Sequence, residues 1–275
     1  MEHASATGAP TARTLSAYPD VQVSSDGRGD HLVVAVRGVL TGRSADTAVR
    51  PALDTHLLDR GRVVVDLSQT DVPEDSAVQL FPAALAAAGG WPRARLVLAR
   101  ADALTTRVLQ AAQVHLTVPV ARTLEEARAL LDVRPRRVAR DHELPYAAIA
   151  PALARAFVAS ACEDWGLRDG LRDAAASVVT ELVSNVVEHA GTACGLHLER
   201  DRRCMQIAVR DGRQLTPGGP PVAVATHRGY GLLIVQGLAR GWGVTPYADG
   251  KAVWALLDAT RDPLIPPAGR RDPAG

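Results

Sequence analysis

Aromatic residues are scarce in this chain: two Phe, four Tyr and four Trp, 4% of 275 residues. The 47% hydrophobic content is therefore carried mainly by Leu, Val and Ala, which is enough for two cores of ordinary size. Cysteine is also scarce. Cys162, Cys194 and Cys204 are odd in number and have no Cys-x-x-Cys spacing, which excludes a disulfide framework and a zinc knuckle and fits a reduced, intracellular chain. Charge of either sign is not in excess: 31 basic and 30 acidic residues leave a net charge of +1, so no nucleic-acid-binding stripe is expected. Long apolar runs are missing as well. Segments such as Ala83 to Ala88 fall far short of the roughly 20 residues that span a bilayer. Met1 to Asp20 lacks the basic-then-apolar pattern of a secretory signal. The expected location is the cytoplasm, away from membranes.

What is present divides into two domains and a short join. Residues 1–18, rich in Ala, Ser, Thr and Gly, read as a flexible extension. From about 19 to 132, apolar strand-like runs (31–36, 62–67, 95–99, with a short edge strand at 118–120) alternate with helical spacing (45–58, 76–88, 104–112, 124–131). Thr123 caps the last helix, with Glu126 three residues on. This alternation predicts a small α/β layer. Residues 133–146 carry Pro135, Pro145 and charges including Arg134, Arg136, Arg137 and Arg140; they read as an interdomain join, the arginines decorating it or forming a phosphate-binding patch. Residues 147–260 open with helices at 147–165 and 171–189, then strands near 196–199 and 204–209, a helix at 232–239 and a hairpin turning at Asp249-Gly250. The proline-rich stretch 261–275 reads as a flexible tail.

The chemistry concentrates in the second domain. Glu181, Ser184, Asn185 and Glu188 fall at helical offsets that make one polar stripe beside an apolar face of Val178, Val179, Leu182, Val183, Val186 and Val187. Such a stripe is either a solvated helix face or a site. As a site, Glu181 can orient or deprotonate an attacking hydroxyl and Asn185 can ligate magnesium beside phosphates. His189 reads as a helix-end donor. Asp211, closing Val209-Arg210-Asp211-Gly212 at a strand end, either caps a turn or accepts a hydrogen bond from an adenine amino group. Gly229 and Gly231 precede an apolar helix and allow backbone N–H groups close to phosphate, although a plain loop-to-helix turn also uses glycine. Gly-Lys-Ser/Thr is absent, and a third glycine of a dinucleotide fingerprint would fall at Ile234.

Taken in order, these segments resemble the histidine kinase/Hsp90-like ATPase superfamily, most closely its small anti-sigma-factor serine kinase branch. The resemblance runs from about 147 to 258 through Glu181-Leu182-Val183-Ser184-Asn185, Glu188-His189-Ala190, Asp211, Gly229-Tyr230-Gly231-Leu232, Gly241-Trp242-Gly243 and Gly250-Lys251-Ala252-Val253-Trp254. It implies a Bergerat-type α/β sandwich with a mixed sheet, ATP and Mg2+ as cofactors, Glu181 as catalytic base, Asn185 as magnesium ligand, and Asp211, Gly229 and Gly231 around the nucleotide. The chain departs from the pattern at Arg213, where a small residue is usual, at Ala252, where threonine is frequent and would support a water-mediated adenine contact, and in a lid containing Pro217, Pro220 and Pro221.

Residues 21–131 resemble a STAS domain, the fold of anti-sigma-factor antagonists, through Gly38-Val39-Leu40, Asp66-Leu67-Ser68, Asp75-Ser76 and Thr123-Leu124-Glu125-Glu126-Ala127. The resemblance makes Ser76 the expected phosphoacceptor; from local sequence alone it is a helix cap. Ala77 and Val78 replace the serine and glycine that usually follow. The implied function is an ATP-binding regulator of sigma-factor partner switching, a serine/threonine kinase acting with a sigma factor or an antagonist protein, with a homodimer allowed. The departures keep a non-catalytic, nucleotide-binding scaffold open as the alternative.

Overall fold

The computed structural model describes residues 13–17, 21–213 and 230–260. The chain divides into two compact units, Met1–Arg136 and Arg137–Gly275.

In the first unit the strands are β1 Arg13–Ala17, β2 Val21–Arg28, β3 His31–Val39, β4 Arg62–Asp71, β5 Arg95–Ala99 and β6 Val120–Ala121, forming one sheet in that order. The β1–β2–β3 pairings are antiparallel and the β3–β4–β5–β6 pairings parallel. The stretch expected to be a flexible extension thus contributes a strand, and the sheet is mixed. Helices α1 Gly42–Ser44 and α2 Arg50–Arg60 flank a π-helical turn at Ala45–Val49. A 3-10 turn at Asp75–Gln79 leads into α3 Leu80–Ala87, and α4 Ala103–Ala111 and α5 Leu124–Leu130 complete the unit.

The central parallel strands read as unbroken apolar runs because both of their faces are buried. Val34, Val65 and Leu98 share one core with Leu53 and Leu57 of α2 and Phe81 and Leu85 of α3. Val33, Val64 and Val97 meet Ala127 and Leu131 on the other face. The Thr123 side chain accepts from Glu126 N as expected, but the Glu126 carboxylate accepts from Arg122 N. That places it one residue before the cap.

The second unit comprises β7 Val138–Leu144, α6 Ala150–Asp164, α7 Asp169–Asn185, a π-helical turn Val186–Ala190, β8 Cys194–Arg200, β9 Cys204–Asp211, α8 Tyr230–Leu238, β10 Gly241–Tyr247 and β11 Gly250–Asp258. The sheet order is β10-β11-β9-β8-β7. Every pairing between its described strands is antiparallel, so the mixed pairing expected here is found in the first sheet instead. One face alternates into the core with Leu196, Leu198, Met205, Ile207, Val209, Ala255 and Leu257. Against it lies the apolar face of α7, where Ala174, Ala175, Val178, Val179, Leu182 and Val183 are buried.

Strand β7 lies inside the segment that the sequence reads as an interdomain join. Its charges hide it: Arg140 is 1% exposed and bonds Asp164 at the end of α6, with its guanidinium 5.7 Å from the Trp165 ring centroid. Arg137 pairs with Glu199 of β8 at 3.3 Å. These two arginines fasten a strand rather than decorate a linker.

Candidate functional site

Glu181 and Asn185 lie one turn apart on α7, both half-buried. Asn185 is the last residue of the regular helix, before the π-helical turn that ends at Gly191 with φ 68°. Neither side chain bonds another described residue, and Glu188 is exposed. The polar stripe thus offers a carboxylate and an amide that are partly desolvated and have no side-chain bond among the described residues. This fits a role in holding charged ligand oxygens and their counterion. Among the described residues there is no group of three or more His, Cys, Asp or Glu placed to hold a metal ion.

Asp211 closes β9 and is 4% exposed. Its Oδ1 accepts from Arg213 N at 2.8 Å, the local bond of an Asp-initiated turn. The Arg213 guanidinium bonds the carbonyl oxygen of His189, and Thr192 Oγ1 accepts from Gly212 N at 3.3 Å. The turn after β9 is thereby tied to the C-terminal end of the helix that carries Glu181 and Asn185. Arg213, a departure from the expected small residue, supplies one of these ties; His189 takes part through its backbone.

The partner of Asp211 is a residue that sequence reasoning passed over. Lys251 Nζ lies 2.8 Å from Oδ2 and 2.9 Å from Oδ1 of Asp211. The two residues face each other in the β11–β9 register. Ala252, singled out in the sequence, is paired with Arg210, and strand alternation turns it to the opposite face. The position that faces the aspartate is therefore Lys251. No signal within the segment gives it, because it depends on the register of β11 against β9.

Gly250 makes the approach possible. A Cβ there would sit 1.9 Å from the Asp211 carbonyl oxygen, so only glycine lets the start of β11 lie against the end of β9. Tyr247 pairs with Gly250. The hairpin therefore turns at Ala248-Asp249, one residue earlier than the Asp249-Gly250 turn read from sequence. Asp249 instead bonds Arg210 at 2.7 and 2.9 Å, and the Arg210 guanidinium lies 4.5 Å from the Tyr247 ring centroid. Arg210 holds the Asp249 carboxyl below its ordinary range.

Gly229 lies outside the described residues, as do Pro217, Pro220 and Pro221; Gly231 is the second residue of α8. Helix α8 packs on α7 and buries Leu232 and Val235. Burial pushes the Cys194 thiol up to about 11, with Asp211 and Glu143 adding to the effect. Burial does the same for Cys162, also to about 11. These thiols are packing groups.

Ser76 belongs to the first unit. It sits inside the Asp75–Gln79 3-10 turn, exposed, and the N-cap position falls to Glu74. Ser76 is therefore not the helix cap that local sequence suggests. Glu74 Oε2 accepts from Gly42 N at 3.1 Å, fastening this turn to α1. Nearby in sequence, Asp66 at the end of a buried apolar run is 6% exposed and bonds Arg100.

Among known proteins, the histidine kinase-like ATPase domain matches residues 146–256, most of the second unit. The matched stretch holds most of the antiparallel sheet with α6, α7 and α8 against it, a Bergerat-like architecture within an α/β chain. A solved structure titled as an anti-sigma factor antagonist from Mycobacterium paratuberculosis is 20% identical, covers 42% of this chain and 98% of its own, and has a TM-score of 0.37. No curated protein matches the chain. Among the described residues no helix is long and apolar enough to cross a membrane.

Proposed function

We propose that the second unit binds Mg-ATP and that the chain is a serine/threonine protein kinase of a sigma-factor partner-switching pathway. The observation that carries this reading is Asp211: a nearly fully buried carboxylate at a strand end, tied through Arg213 to the end of the Glu181/Asn185 helix. It lies in the stretch that matches a histidine kinase-like ATPase domain. A carboxylate desolvated to this degree is a strong acceptor for an exocyclic amino group, which is what adenine presents.

In this reading Asp211 selects the base, and Gly229 and Gly231 let backbone N–H groups approach the phosphates. Asn185 holds magnesium through its carbonyl oxygen. The ion, when bound, neutralises charge on the phosphates. Glu181 orients the hydroxyl of a protein serine or threonine and takes its proton as the oxygen attacks the γ-phosphorus. The bond from that phosphorus to the bridging oxygen breaks, and ADP leaves with the electron pair. The acceptor gains about −1.5 to −2 charge, enough to expel one protein partner and admit another.

The acceptor is an antagonist-like protein, and the ordered STAS-like segments of the first unit support that assignment. Ser76 is a second candidate acceptor, supported by its exposure outside a cap. A sigma factor is the partner released or captured, and the chain acts in the cytoplasm.

Titration calorimetry of the full chain with Mg-ATP, beside Asn185→Ala, tests the binding half: micromolar heats lost in the variant are expected, and no binding by the intact chain overturns it. Labelled ATP with free antagonist proteins tests the chemistry, read by phosphopeptide mass spectrometry that includes Ser76. Transfer that vanishes in Glu181→Ala is the expected result. Nucleotide binding without such transfer would establish the alternative, a scaffold that docks partners in a nucleotide-dependent conformation.

A further inference from the structure

The ion pair at the end of β9 changes what the nucleotide site offers a base. An ammonium has three donors and a carboxylate about four acceptor positions. Lys251 Nζ contacts both oxygens of Asp211, at 2.8 and 2.9 Å, and Oδ1 also accepts from Arg213 N at 2.8 Å. Among the described residues Oδ1 is thereby filled, while Oδ2 retains an acceptor position and Lys251 a donor. The side chains are 2% and 12% exposed for Asp211 and Lys251, so little water is at hand to satisfy an unmatched group.

We propose that Lys251 is a second base-reading residue, and that the Asp211–Lys251 pair admits 6-oxopurine nucleotides as well as adenine nucleotides. The inference rests on the nucleotide site proposed above. A lone carboxylate accepts from the 6-amino group of adenine and repels a carbonyl oxygen at the same position. With an ammonium beside it, a donor and an acceptor stand side by side. Adenine matches them with its 6-amino hydrogen on Asp211 and ring N1 on Lys251. Hypoxanthine matches them in reverse, with O6 on Lys251 and N1–H on Asp211. Without Lys251, O6 would face the carboxylate with no donor between them, and desolvated sites discriminate strongly against such mismatches.

The test is titration calorimetry of the full chain with Mg-ATP and with Mg-ITP, the inosine nucleotide, for the intact protein, Lys251→Met and Lys251→Arg. The intact chain is expected to bind ITP within about tenfold of ATP, and Lys251→Met to weaken ITP relative to ATP by a further tenfold or so. Lys251→Arg keeps a charged donor and should retain ITP binding. Were Lys251→Met to fail to fold, the intact chain and the arginine variant still decide.

Three results would overturn the inference alone: ATP bound with ITP weaker by more than about a hundredfold, an ATP-to-ITP ratio unmoved by Lys251→Met, or tighter binding of both nucleotides by that variant. The last would make Lys251 a lock on Asp211. Binding of neither nucleotide by the intact chain removes the proposed function and this inference together.

Discussion

Each unit of this chain buries an aspartate on a strand, Asp66 in the middle of β4 and Asp211 at the end of β9. Each is engaged by a cation and by the backbone N–H two residues on. In the first unit Asp66 bonds Arg100 and accepts from Ser68 N at 3.1 Å. In the second, Asp211 bonds Lys251 and accepts from Arg213 N at 2.8 Å. The local chemistry is alike. The surroundings are not: the Arg100 side chain is 43% exposed, Lys251 only 12%. A cation in water screens and rehydrates cheaply, whereas one enclosed with its partner leaves a costly charge behind when removed. The Asp66 pair meets solvent through its arginine, and the Asp211 pair is enclosed on both sides.

The largest difference between the two pairs should come from removing each cation. Lys251→Met should cost roughly 3 to 5 kcal/mol in unfolding free energy, because it strands the Asp211 carboxylate away from water. Arg100→Met should cost less, roughly 1 to 3 kcal/mol, because the Asp66 carboxylate is buried but keeps the Ser68 N–H and the water that already reaches Arg100. Urea unfolding of both variants measures the difference; equal losses would erase the distinction drawn here. Next comes Gly250→Ala, whose Cβ would meet the Asp211 carbonyl oxygen at 1.9 Å. The hairpin must move off β9, at a cost of roughly 3 kcal/mol, and Mg-ATP affinity should fall with it. A variant that melts and binds like the intact chain would show that Asp211 does not depend on this approach.

Smaller effects come from pH. Burial alone would raise the Asp66 carboxyl, but the bonds from Arg100 and Ser68 outweigh it and hold it below its ordinary value. A lowered folded pKa gives stability that is present above the unfolded value, near 3.9. It is lost as pH falls through the folded value. Acid titrations of unfolding should therefore show a shallower loss in Arg100→Met than in the intact chain.

His197 has the opposite sign. Burial would lower it, yet the hydrogen bond that its Nδ1 donates to Asp141 Oδ1, at 2.5 Å, and the charge of that carboxylate raise it above its ordinary value. Its contribution is complete below the unfolded value, near 6.5, and disappears as pH rises through the folded one. Asp141→Asn should flatten stability in the pH range just above the unfolded value, and an unchanged profile would mean that this pair does not contribute.

The periodic parts of the fold were legible in the residues. The valine runs of β3, β4 and β5 and the apolar face of α7 announce themselves by pattern, and Glu181, Asn185 and Asp211 by residue type and order. Three things were not. Strand β7 was hidden because Arg140, a charged residue in a proline-flanked stretch, reads as linker until Asp164 and Trp165 are seen around it. The turn of the last hairpin was misread by one residue because Asp-Gly is a strong local signal, while the register is fixed by cross-strand pairing. Lys251 was overlooked because it is adjacent to the residue that a motif singles out, and strand alternation sends neighbours to opposite faces.

By itself, then, the sequence determined the α/β class, the apolar segments that build two cores, and the carboxylate and amide stripe on α7, because these depend on local spacing and side-chain chemistry. Only the tertiary structure decided who meets Asp211. That answer depends on the register of β11 against β9 and on the absence of a side chain at Gly250, neither of which is expressed within any single segment.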